Sequence, residues 1–140
     1  MESELISGAC LCGAVRFSIR APVLFCGHCH CSMCRRAHGA GFVTWVGVLA
    51  SQFTLRSGAH NLIRYRSSDH GTRSFCASCG STLFFSTTQH PDRLDVVRAN
   101  LDDTAHLPAQ FHAYWNHRAP WVSVADDLPR LGGATGLEPL

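Results

Sequence analysis

At 140 residues, with 46% hydrophobic and 16% charged residues, the chain has the composition of one globular domain and falls outside the range of disordered sequences. Its formal net charge is +2 and its twelve basic residues are all scattered arginines, so the clustered basic face of a nucleic-acid binder is missing. No run of about eighteen apolar residues exists, which excludes a membrane-spanning helix.

Residues 1–8, with Glu2 and Glu4, lack the basic start and apolar stretch of a secretory signal. A reducing, cytoplasmic setting is therefore expected. There, recurrent cysteine pairs hold metal more often than they form disulfides.

Val15, Phe17 and Ile19 alternate with Arg16, Ser18 and Arg20, the period-two pattern of a half-buried strand, closed by Ala21 and Pro22. Residues 42–49, rich in β-branched and aromatic side chains, predict a second strand after the Gly39-Ala40-Gly41 turn. Further short strands are expected over 62–66, 73–75, 82–86, 94–98 and 111–115. The one helix is a short turn from Ser32 to about His38, with Ser32 as its N-cap. Many short strands with almost no helix define an all-β domain. Residues 1–131 are expected to form that single domain, and the glycine-rich residues 132–140 a mobile tail.

Eight cysteines fall as CxC (Cys10, Cys12), CxxCxCxxC (Cys26, Cys29, Cys31, Cys34) and CxxC (Cys76, Cys79). Cysteines so close are badly placed to bridge each other, yet their sulfurs can converge on a tetrahedral zinc ion. Both outer pairs end in Cys-Gly before a strand, the pattern of two zinc knuckles. A glycine at that point can take positive φ and turn backbone N–H groups toward the sulfurs. Cys10, Cys12, Cys76 and Cys79 are thus expected to hold one structural zinc that closes a long loop, contributing on the order of 10 kcal/mol to folding.

Cys29, Cys31 and Cys34 offer three thiolates within six residues. Three protein ligands leave a coordination position for water or an incoming thiol, the mark of a reactive zinc. Cys26 could close the site as a fourth ligand or be a small buried residue on the apolar run 23–26; spacing leaves both open. His28 and His30 are expected to be partners of the ligands or solvent-facing residues. Arg35 and Arg36 follow directly, and a guanidinium there could offset the thiolates and hold a substrate carboxylate. Trp45, Trp115 and Trp121 are assigned to core packing.

The segments GACLCGAVRF, GHCHCSMCRRAHGAGF, YRSSDHGTRSFCASCGSTLF and HRAPWVSVADDLPRL, in that order over about residues 8–131, resemble the glutathione-dependent formaldehyde-activating enzyme family, which includes the centromere protein V domain. The resemblance implies a mainly β architecture of the β-tent type with two zinc sites. It implies that Cys10, Cys12, Cys76 and Cys79 hold the structural ion and that Cys29, Cys31 and Cys34 hold the reactive one, Cys26 lying outside the family pattern. It also implies glutathione as the small-molecule partner and the addition of glutathione to formaldehyde as the reaction, a carbon–sulfur lyase activity. Two other classes stay open: a module that binds or carries a thiol without accelerating its reaction, and a structural zinc domain with both sites closed.

Overall fold

The computed structural model describes residues 4–140; residues 1–3, Glu2 among them, lie outside the described residues. In chain order the elements are β1 (Leu5–Ala9), β2 (Arg16–Arg20), β3 (Phe25–Cys29), α1 (Ser32–His38), β4 (Val43–Leu49), β5 (Phe53–Ser57), β6 (Leu62–Arg66), β7 (Gly71–Cys76), β8 (Thr82–Thr87), β9 (Arg93–Val97), β10 (His112–Ala113), β11 (Leu131–Gly132) and β12 (Glu138–Pro139), with four 3-10 turns between them. The protein is mainly β. Among the described residues no helix is long and apolar enough to cross a membrane.

The chain divides into two compact units, each assembled from separated stretches: residues up to Leu24 with Val46–His106, and Phe25–Trp45 with Leu107–Leu140. In the first, β1, β2 and β5 form an antiparallel sheet with β2 in the centre, Ile6 opposite Ile19 and Phe17 opposite Leu55. The alternation read from Val15, Phe17 and Ile19 holds, all three being essentially inaccessible. Ser18, on the other side of β2, is also buried, and Arg56 Nε donates to its hydroxyl at 3.0 Å.

In the same unit β6, β7, β8 and β9 run as an antiparallel series, Leu62 opposite Cys76 and Phe84 opposite Val96. Phe17, Phe53 and Phe84 close the space between the two sheets. Their ring centroids lie 5.0 to 5.7 Å apart, with Phe84 edge-on to both partners. Such pairs contribute about 0.5–1.5 kcal/mol each beyond their buried area.

The second unit is built on β3 and β10, which pair in parallel with His28 opposite His112 and Cys29 opposite Ala113. Residues 111–115 therefore supply only a two-residue strand. A left-handed backbone at Tyr114 (φ 52°) ends it and opens a 3-10 turn over Trp115–His117. Helix α1 is where the sequence places it, but its N-cap is Cys31 and not Ser32. The Cys31 backbone is extended (φ −62°, ψ 147°) and its sulfur accepts the Cys34 N–H at 3.2 Å, the bond a serine hydroxyl would otherwise make. Residues 131–140 contain an antiparallel pair, Leu131 opposite Pro139 and Gly132 opposite Glu138.

Candidate metal centres

The outer cysteines meet within the first unit. The turn after β1 is closed by two backbone bonds, Cys10 N–H to Val15 O at 3.0 Å and Gly13 N–H to Cys10 O at 3.1 Å. Its counterpart between β7 and β8 repeats this with Cys76 N–H to Ser81 O at 3.0 Å and Gly80 N–H to Cys76 O at 2.8 Å. Gly13 and Gly80 take φ of 81° and 77°, the left-handed conformation expected of the residue after each pair. The two knuckles face each other through Leu11 N–H, which donates to Ser81 Oγ at 2.9 Å.

One sulfur each from Cys10, Cys12, Cys76 and Cys79 lies within 4.8 Å of the others. Cys10 and Cys12 are 3.6 Å apart and Cys12 and Cys76 3.8 Å. Four thiolates at about 2.3 Å from a tetrahedral zinc would stand about 3.8 Å from one another. These residues fit the ion.

The surroundings of the sulfurs fit as well. Val15 N–H reaches Cys10 Sγ at 3.3 Å, Asn61 Nδ2 donates to Cys76 Sγ at 3.2 Å, and Ser81 Oγ stands 3.2 Å from Cys79 Sγ. The Ser81 hydroxyl and backbone pull the Cys79 thiol down to about 5. At Cys12 the Ala14 N–H acts in the same direction, but burial and the sulfurs of Cys10, Cys79 and Cys76 outweigh it and push the thiol up to about 11. Thiols divided in this way share protons; a divalent cation would let all four ionise together. Asn61 and Ser81 carry no motif of their own in the sequence, and only the serine's place after Cys79-Gly80 could have marked it.

The central cluster meets within the second unit. Cys29 ends β3, Cys31 caps α1 and Cys34 lies in its first turn; one sulfur from each lies within 4.8 Å of the other two. The Cys29 thiol is pushed far up by Cys31 and Cys34 and by its own burial, as expected of three sulfurs crowded together. Cys26 is not one of this group and is buried. Along a strand, residues three apart are separated by about 10 Å and point to opposite faces. Cys26 therefore lies on the face of β3 that carries His28, and Cys29 on the other.

Arg35 and Arg36 differ. Arg35 Nε donates to His30 O at 3.3 Å and its Nη2 to His117 O at 3.1 Å, which ties the start of α1 to the turn after β10; Arg36 is exposed. Two arginines that sequence reasoning passed over lie nearer the aromatic surface. The Arg118 and Arg130 guanidinium carbons stand 4.6 and 5.0 Å from the Trp115 ring centroid. Trp45 is buried as expected, Trp115 is half-buried and Trp121 is 70% exposed, so only the first is a core tryptophan. The Tyr114 hydroxyl is pushed up in pKa by burial and by the charges of Cys29, Cys31 and Cys34.

His30 is not solvent-facing: it is wholly buried, its Nε2 is 2.8 Å from His112 Nδ1, and its ring meets Phe42 and Trp115 at 5.0 Å. His28 is half-buried, its Nδ1 2.8 Å from Thr44 Oγ1.

The chain is mainly β, and its cluster of four thiols and its cluster of three have the donor sets that could each hold a metal ion. The model of the glutathione-dependent formaldehyde-activating enzyme family matches residues 5–117, and the chain belongs to that family. A protein of Halomonas elongata, provisionally named a glutathione-dependent formaldehyde-activating enzyme, is 28% identical over 127 residues, 86% of this chain and 81% of its own length. An uncharacterized lyase of Schizosaccharomyces pombe is 36% identical over 83 residues, 58% of this chain and 57% of its own. The crystal structure of a Rhodobacter sphaeroides protein is similar with a TM-score of 0.60 at 27% identity, covering 71% of this chain and 91% of that one.

Proposed function

We propose that the chain is a carbon–sulfur lyase-type enzyme that adds glutathione, or a similar thiol, to formaldehyde or a related small electrophile, with Cys29, Cys31 and Cys34 at the reactive zinc and Cys10, Cys12, Cys76 and Cys79 at a structural one. The observation that carries this reading is the three-sulfur set of the central cluster, with Cys26 outside it, in a chain of this family. Zinc held by Cys29, Cys31 and Cys34 would supply a position for a fourth sulfur, favouring the thiolate of a group that is only about 3% ionised at pH 7 in water.

The chain's own residues bind and orient. The Cys34 N–H and the start of α1 spread part of the negative charge on Cys31. Arg118 and Arg130 at Trp115 offer planar guanidiniums to the carboxylates of a tripeptide, and Arg35 holds the turn that carries Arg118. In the reaction the thiolate sulfur bonds to the carbonyl carbon, the C=O π pair moves to oxygen, and that oxygen takes a proton from water. Thiols add to aldehydes unaided, so the chief contribution is holding the two partners in register.

The same arginine and tryptophan surface would retain an anionic thiol whether or not its reaction is accelerated, which makes a thiol-binding module the second reading. Stopped-flow measurement of S-hydroxymethylglutathione formation, with and without protein, separates the two. Acceleration by the wild type that is lost in Cys31→Ala, with the fold kept and one zinc lost, supports the enzyme. Tight glutathione binding with an unchanged rate would leave the carrier.

A further inference from the structure

We propose that His28, His112 and Asp126 form a third metal site, taking a divalent transition-metal ion of the zinc or iron(II) class, on the face of β3 opposite Cys29. This inference goes beyond the thiol chemistry above and does not depend on it. One ligand atom from each of the three residues lies within 4.8 Å of the other two, and two imidazoles with one carboxylate are a donor set for borderline metals. The register explains why the histidines meet: His28 and His112 are direct partners of the parallel pair β3 and β10, with ring centroids 4.8 Å apart.

The atoms around the three residues are arranged as around metal ligands. A ligating histidine usually has its other ring nitrogen held by a hydrogen bond, which sets the tautomer and aims the free nitrogen. His28 Nδ1 is 2.8 Å from Thr44 Oγ1, and His112 Nδ1 is 2.8 Å from His30 Nε2, which leaves Nε2 of each ring as the ligand atom. Both Asp126 oxygens lie 3.0 Å from His112 Nε2; Oδ1 also accepts Leu128 N–H at 3.0 Å and Arg130 Nη1 at 3.2 Å, which leaves Oδ2 the less engaged oxygen. An ion would enter between Oδ2 and the two Nε2 atoms, releasing to solvent the proton that His112 Nε2 otherwise gives the carboxylate; His112 Nδ1 would then carry the proton it shares with His30 Nε2, which keeps the ring neutral. Asp126 is 40% exposed at its side chain, so the site opens to solvent on the carboxylate side and keeps positions for water.

Cobalt(II) titrated into protein brought to two zinc ions per chain, so that only the thiolate sites are filled, tests this, because cobalt bound by nitrogen and oxygen lacks the intense sulfur-to-cobalt charge-transfer band that cobalt gives at thiolate sites. The expected result is one equivalent taken up with weak visible bands alone and with paramagnetically shifted imidazole protons from two histidines. Asp126→Asn and His28→Gln should abolish that uptake without changing the zinc content, and Thr44→Val should weaken it about tenfold to a hundredfold. If the wild type takes up no cobalt outside the thiolate sites, or if uptake without charge transfer survives in Asp126→Asn, the three residues are a hydrogen-bonded cluster only. The wild-type titration decides the question even if a variant fails to fold.

Discussion

His30 Nε2 lies 2.8 Å from His112 Nδ1, and both rings are buried, so one proton is held between two imidazoles away from water. Burial first, then the positive charges of His112, His28, Arg118 and Arg35, hold the His30 pKa down at about 4. The unfolded chain protonates His30 near pH 6.5, a proton the folded chain refuses until about pH 4. Stability from this residue is therefore complete above pH 6.5 and is lost as the pH falls toward 4, up to roughly 3 kcal/mol. We expect the urea midpoint to fall across this window and His30→Gln to flatten the fall, with zinc content followed in parallel. Equal slopes in the two proteins would contradict it.

At the outer cluster, Ser81 and Asn61 direct hydrogen bonds at Cys79 and Cys76. Ser81→Ala and Asn61→Leu should each weaken zinc retention there about tenfold to a hundredfold, read by competition with a chelator. Cys79→Ala should go further and unfold or aggregate the protein. Such variants retaining wild-type affinity would mean that the sulfurs need no help from their neighbours.

Gly58 and Gly39 both have left-handed backbones, φ 85° and 60°, but in different surroundings. A Cβ at Gly58 would lie 2.3 Å from Ala14 O and 2.8 Å from Val15 Cα, backbone of the first knuckle, whereas one at Gly39 meets nothing within 4 Å. Gly39→Ala should cost about 1 kcal/mol, the strain of the conformation alone. Gly58→Ala should cost more, about 2–4 kcal/mol, and loosen zinc at Cys10 as well. Thermal melts with metal analysis distinguish the two.

Residues 132–140 hold Tyr114. Tyr114 N–H donates to Gly136 O at 2.9 Å, and a Cβ at Gly136 would come within 2.2–2.5 Å of the Tyr114 ring. Removing residues 132–140 should cost about 1–3 kcal/mol, as the positive φ at Tyr114 loses what enforces it. Gly136→Ala should reproduce much of that loss in a denaturant titration. A truncated chain as stable as the full one would show that the segment does not anchor the tyrosine.

Which cysteines could bind metal was legible in the chain itself, because ligand pairs in short turns are local: CxC and CxxC ending in glycine determine their own knuckles, and the period of two in Val15, Phe17 and Ile19 determines its own strand. The family was legible for the same reason, its motifs being short and ordered. Local patterns could not say that Cys31 and not Ser32 caps the helix, since that depends on which side chain the entering backbone aims at the Cys34 N–H. Nor could they place Cys26, whose separation from Cys29 follows from residues 25–29 being extended, so that three positions reverse the face. The histidine cluster was least visible of all. His28 and His30 precede His112 and Asp126 by 82 residues or more, and only the parallel pairing of β3 with β10 brings the imidazoles together, because strand register is a property of two segments and cannot be written in either one alone.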